Sequence, residues 1–278
     1  MEHFQHTAHI GTHSLSYALR GIPRQPGAPL VVVLTGINSS ALEWSALCRH
    51  LENEATVLLY ERTGYGHSET CPTAEPDSCT IVDELSRLLA AAALPPPYLV
   101  VGHSWGGILA REFLATHGPK LICGMVLLDA LLGWPANIDW TEVEWAELMA
   151  EEASLHYIQQ ATRELPYLQI SRAVLAKKKQ LLPGRDLLRG RPLSDQERMY
   201  HRGVADGLGT EAERATFLHY LERWDASEEA FQREFLNLSS NAHFSTTTQS
   251  GYNIQITEPE RVADEIRWVL QRAGNRAT

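Results

Sequence analysis

From residue 30 the chain alternates short runs that are apolar throughout with longer stretches whose apolar residues recur at helical spacing. This rhythm constrains the fold more than any other feature of the 278 residues. The runs are LVVVLTG (30–36), ATVLLYE (55–61), YLVVG (98–102) and GMVLLDA (124–130). A strand apolar at every position must be covered on both faces. Between the runs, Ser40 and Glu43 make a capping-box start, followed by a stripe of Trp44, Leu47, Cys48 and Leu51. Ile81, Val82, Leu85, Leu88, Leu89 and Ala92 form a second stripe. A third helix, WGGILAREFLATH, follows YLVVG at once and stops at Gly118-Pro119. Strand and helix in strict turn predict an α/β fold, a mostly parallel sheet with helices on both faces.

The rhythm breaks at residue 133. Residues 133 to 228 read as helical stretches without a convincing strand and hold four of the seven tryptophans, Trp134, Trp140, Trp145 and Trp224. We read an inserted helical cap there, on a core formed by 1–132 and 229–278. The sheet resumes near HFSTTT (243–248). A last helix then starts from the box Thr257 to Glu260 and packs through Val262, Ile266, Val269 and Leu270. Upstream, HTAHIGTHSLSYALRG reads as an extended hairpin about a Gly turn, which makes His3, His6, His9 and His13 surface residues. No Cys or acidic ligand accompanies them, so no metal is expected.

A net charge of -10 and a pI near 5.6 argue against nucleic acid as a partner. No apolar run approaches the roughly 20 residues of a membrane span, and MEHFQHTAHIGTHS lacks the basic-then-apolar order of a secretory leader. The expected location is cytoplasmic, with Cys48 and Cys123 as core thiols and Cys71 and Cys79 reduced. No phosphate-binding Gly loop or metal-ligand cluster appears, so the expectation is a small-molecule substrate and no cofactor.

Between YLVVG and its helix stands Gly102-His103-Ser104-Trp105-Gly106-Gly107, a G-x-S-x-G in the strand–turn–helix setting that gives the pattern meaning. A turn this sharp holds the serine in a strained backbone conformation with its hydroxyl exposed. Its glycines are needed because side chains there would collide with the neighbouring strand and helix. A nucleophile so placed requires backbone N–H donors for the oxyanion it creates. Trp105 supplies one, and Ile37, in the loop after LVVVLTG, is the candidate for the other, with Asn38 able to add a side-chain donor.

Taken in order, LTG, YERTGYGHSE, GHSWGG, GMVLLDA, a helical insert and QSGYNIQITEPERV resemble the α/β-hydrolase superfamily along nearly the whole chain, near its small esterase and lactonase-like members. The resemblance implies an eight-stranded sheet under a helical cap, with the site between them. It also implies an acid, either after the seventh strand in a Gly-x-x-Asp segment or at the end of the sixth. No such segment occurs between 200 and 240, and Asp129 ends GMVLLDA, so Asp129 is the candidate acid, with Asp225 and then Asp206 behind it. Two departures stand out: Thr35-Gly36 where the family usually has His-Gly, and Ser250-Gly251-Tyr252 where it usually has Ser-Gly-His.

The second departure touches the chemistry. A phenol of pKa near 10 is ionised in about one molecule per thousand at pH 7, so Tyr252 cannot relay a proton as imidazole does. Nothing in the sequence aims His103, His156, His201, His219 or His243 at the serine. Three readings stay open: a hydrolase of a small apolar or aromatic ester or lactone, a non-hydrolytic enzyme using the same pocket with Tyr252 as donor or proton carrier, and a ligand-binding member. Trp134, Tyr157 and Tyr167 of the cap suggest the apolar character of the ligand.

Overall fold

The computed structural model describes residues 6–71, 73, 75–128, 159–160, 163–164, 185–189, 200–201, 203–205, 207, 209–216, 236, 239, 242–247, 250 and 253–274. Its strands are β1 (His6–His9), β2 (Ser14–Gly21), β3 (Leu30–Leu34), β4 (Thr56–Tyr60), β5 (Tyr98–His103), β6 (Ile122–Leu128), β7 (Arg185–Arg189) and β8 (Ala242–Thr246). They form one sheet in the order β1-β2-β4-β3-β5-β6-β7-β8. The β1–β2 and β2–β4 pairs are antiparallel, and every pair from β4 to β8 is parallel. The sheet is therefore mixed only at the hairpin edge.

Alternate residues of the apolar strands feed two cores. Leu30, Val32, Leu34, Val100 and Leu127 meet Ile81, Val82, Leu85 and Leu88 of helix α2 (Ser78–Ala91) and Trp105, Leu109 and Phe113 of helix α3 (Trp105–His117). Val31, Val33, Val101 and Val126 meet Trp44 and Leu47 on the opposite face, the latter in α1 (Ser45–His50). After a short helix α4 (Ile254–Thr257), helix α5 (Pro259–Gly274) adds Val262, Ile266 and Val269 to that face. The rhythm of the sequence is thus a sheet covered on both sides.

Four expectations need correction. Residues 133–228 are not free of strands: β7 lies among them and pairs with β6 and β8. Its sequence, RDLLR, carries too short an apolar run to announce a strand. His13 is buried, not on the surface, whereas His6 and His9 are exposed as expected. Ser40 does cap, accepting from the Leu42 N–H, but Glu43 turns away from the cap to accept from Ser39 Oγ and, at 2.6 Å, from Gln255 Nε2. The final helix starts at Pro259, a natural first helical residue, and Thr257 donates instead to the Asn253 carbonyl at 3.0 Å. None of the four cysteines is in a disulfide, and Cys48 is buried.

Candidate active site

Ser104 joins β5 to α3 with φ 53° and ψ −118°, a region that side chains rarely occupy. Three contacts force it there. A Cβ on Gly102 would lie 2.4 Å from the Gly106 carbonyl oxygen, and one on Gly106 would lie 1.9 Å from the Leu34 carbonyl oxygen. The Ser104 N–H donates to the Leu128 carbonyl at 3.0 Å, tying the turn to the end of β6. Strand, helix and neighbouring strand approach so closely that only hydrogen fits at both glycines. Ser104 itself stays partly exposed while Trp105 behind it is fully buried.

The loop after β3 runs past this turn. A Cβ on Gly36 would stand 3.3 Å from Ser104 Cβ, so the peptide between Gly36 and Ile37 flanks the serine. Asn38 also has positive φ, 57°, and its N–H donates to Tyr65 Oη at 3.2 Å. Neither the Ile37 nor the Trp105 N–H takes part in a turn, loop or cap bond between main chains among the described residues. The two backbone groups named from sequence therefore sit on the two segments that meet at Ser104.

Beneath the loop lies a buried charge centre that the sequence did not disclose. Arg62 donates from Nε to Glu164 Oε1 at 3.1 Å and from Nη2 to Glu164 Oε2 at 3.0 Å. It also donates to the Thr35 carbonyl at 3.0 Å, to Thr35 Oγ1, and to the Gly36 carbonyl at 2.8 Å. The two side chains are 2% and 1% exposed. Burial alone lowers the Arg62 pKa, and the charge of Glu164, together with its hydrogen bonds, more than offsets it, leaving the guanidinium above its ordinary value. The signal available in sequence was an arginine directly after a buried strand, in YERTGYG; Glu164, 102 positions away, gave none.

A second buried chain of polar groups adjoins it. Thr63 donates to Glu84 Oε2 at 2.6 Å, so its oxygen accepts from His13 Nε2, also at 2.6 Å, and Nδ1 shares a hydrogen bond with the Thr12 hydroxyl at 2.8 Å. That pattern places a proton on His13 Nε2. Burial, the largest influence, lowers its pKa.

Asp129, Trp134, Tyr157 and Tyr252 lie outside the described residues, as do Asp206, Asp225, His156, Tyr167 and His219. The position of β7 nevertheless bears on the acid. The segment after the seventh strand begins at residue 190, not 200, and its first carboxylate in sequence is Asp195, also outside the described residues. Of the described histidines considered for the base, His103 is buried with its ring against Trp44, His201 is exposed beside Tyr200, and His243 is exposed against Trp268.

A doubly covered sheet of this order with a strained serine turn after β5 defines a class, and the comparisons agree with it. Residues 29–163 match the sequence model for the alpha/beta hydrolase fold. The described residues adopt the α/β-hydrolase fold. The chain is 27% identical, over 92% of its length and 91% of the relative's, to an AB hydrolase superfamily protein of Gibberella zeae. It is 26% identical, over 95% of its length, to the probable transporter efuK of Hormonema carpetanum, of whose length it spans only 42%. Among solved structures, a meta-cleavage product hydrolase from Pseudomonas fluorescens superposes with a TM-score of 0.65 at 16% identity, covering the whole of both chains. At that identity the likeness speaks for the fold alone. No helix among the described residues is long and apolar enough to cross a membrane.

Proposed function

We propose that the chain is a serine hydrolase of a small, apolar or aromatic ester or lactone, with Ser104 as nucleophile. The observation that carries this reading is the Ser104 backbone, held at φ 53° by glycine contacts that serve no purpose in an ordinary βα turn. Its hydroxyl attacks the carbonyl carbon as the serine proton passes to solvent; the π electrons move to oxygen, and the N–H groups of Ile37 and Trp105 receive that charge. Collapse expels the alkoxide and leaves an acyl-serine, which water cleaves. Asn38 and the cap residues Trp134 and Tyr157 are assigned to the substrate. Asp129 or Asp195 is assigned to the acid, and Tyr252 to the base position.

A tyrosine there makes proton transfer the slow step. Loss of a triad histidine costs on the order of 10⁶ in kcat, and what is left comes from the oxyanion hole and binding. The test is a panel of activated short and aromatic acyl esters, given to the native chain, Tyr252→His and Ser104→Ala. A Ser104-dependent rate that histidine raises by about 10³ or more supports the hydrolase reading. If neither substitution moves the rate, the reading fails, and Tyr252 as a donor in a non-hydrolytic conversion takes its place.

A further inference from the structure

We infer that Arg62, clamped by Glu164 and Tyr65, is the positioning residue of the oxyanion hole, aiming the Ile37 N–H by holding the carbonyls of the two peptides before it. This rests on the reading of Ser104 as a nucleophile. A guanidinium has five N–H donors in a fixed fork, and all five are used here: two on Glu164, one on the Thr35 hydroxyl and one on each of the Thr35 and Gly36 carbonyls. The only cis peptide among the described residues is Pro96-Pro97. In a trans peptide the N–H points opposite to the C=O. With the Gly36 carbonyl drawn onto Arg62, the Ile37 N–H is turned to the other side of the loop, and Gly36 is the residue that flanks Ser104.

Glu164 fixes the clamp from a second direction. Its Oε2 accepts from Tyr65 Oη at 3.2 Å, and Tyr65 Oη in turn accepts from the Asn38 N–H. The Arg62 guanidinium also lies 4.6 Å from the centre of the Tyr65 ring. The loop is thus gripped on both sides of Ile37, at Gly36 and at Asn38, while the Ile37 N–H makes no main-chain bond among the described residues. Stability does not explain such a device, because a buried ion pair replaced by apolar residues of like volume often leaves a protein as stable or more so. Orientation of a dipole does, because a preorganised donor acts only when it is already aimed. Glu164 belongs to the stretch read as the cap, so the grip also ties that stretch to the chemistry.

The test compares a linear trifluoromethyl ketone with the methyl ketone of the same chain length. Ser104 adds to the first, forming a C–O bond as the carbonyl π bond breaks and the serine proton leaves to solvent, and the new oxyanion reads the hole; the methyl ketone reads the pocket only. A ¹⁹F signal of the adduct in the native chain or in Tyr252→His, absent in Ser104→Ala, establishes the parent reading. Without that signal both readings fall. With it, Arg62→Lys and Glu164→Gln weaken the trifluoromethyl ketone about 10- to 100-fold and the methyl ketone by less than about 2-fold. Tyr65→Phe, a milder change that keeps the ion pair, weakens the first about 3-fold and serves where the others do not fold. Parallel weakening of both ketones, or no change in either, overturns the positioning role and leaves Ser104 chemistry standing.

Discussion

The turn that carries Ser104 and the loop that carries Ile37 lie in contact, yet they are held by opposite means. The turn is shaped by exclusion: Gly102 and Gly106 meet main-chain atoms that leave no room for a methyl group. The loop is shaped by attraction, through a fully buried ion pair whose donors reach its carbonyls. A steric device is insensitive to pH and salt but fails at the first added carbon. An electrostatic one tolerates volume change, but losing either partner strands a charge in the interior. The pairing gives a serine backbone that cannot relax beside a loop whose shape depends on an ion pair.

The largest expected effect breaks the steric half. Gly106→Ala places its Cβ on the Leu34 backbone, and urea unfolding should show a loss of about 3 kcal/mol or more. The adjacent Gly107, whose added Cβ would meet nothing within 4 Å, is the control: Gly107→Ala should be neutral or stabilising by up to about 1 kcal/mol. In the electrostatic half, Arg62→Met leaves Glu164 uncompensated and should cost about 3–5 kcal/mol, most of it recovered in Arg62→Met/Glu164→Leu. If the double variant is no more stable than the single, the two residues do not act as a pair.

Strain gives a smaller effect. Ser104→Gly releases a residue held at positive φ whose side chain makes no cap bond, and should raise stability by about 1 kcal/mol in the same assay; a loss would mean the turn is unstrained. The smallest effect concerns the neighbouring titratable chain. His13 has a folded-state pKa below its ordinary value, so as pH falls below about 6.5 the unfolded chain takes up a proton first and stability drops. His13→Gln should flatten the decline in urea midpoint between pH 7 and pH 5. Glu84 works in the other sense: burial, against the Thr63 hydrogen bond, raises its pKa, and its contribution is lost as pH rises through the folded value. An unchanged slope in His13→Gln would show that His13 does not carry the acid response.

The same contrast explains what could be read from sequence. The serine turn was legible because its glycine requirement is written within five residues, 102–106, although the main chain that Gly106 meets is that of distant Leu34. β3 to β6 were legible because strands covered on both faces are apolar throughout. β7 was not, since RDLLR has arginine at both ends. That miss moved the search for the acid past Asp195. Arg62 stood in YERTGYG with no partner in view, and Glu164 lies 102 positions away in the stretch read as the cap. Charge pairs carry no periodicity, so only the fold reveals them. Asp129 and Tyr252, named from resemblance, await direct test.

The strand order also sets a sequence of events in time. β1 to β6 come from one uninterrupted piece of chain, residues 6 to 128, whereas β7 follows β6, and β8 follows β7, only after intervening stretches of sequence, 129–184 and 190–241. Closing each loop of about 50 residues costs roughly 3.5 kcal/mol of entropy before any pairing repays it. The first six strands, with the Ser104 turn between them, should therefore condense as an early folding unit that the last two strands complete. Pulsed hydrogen exchange during refolding would then find the β3 and β5 amides protected before those of β8; simultaneous protection would mean the sheet forms in one step.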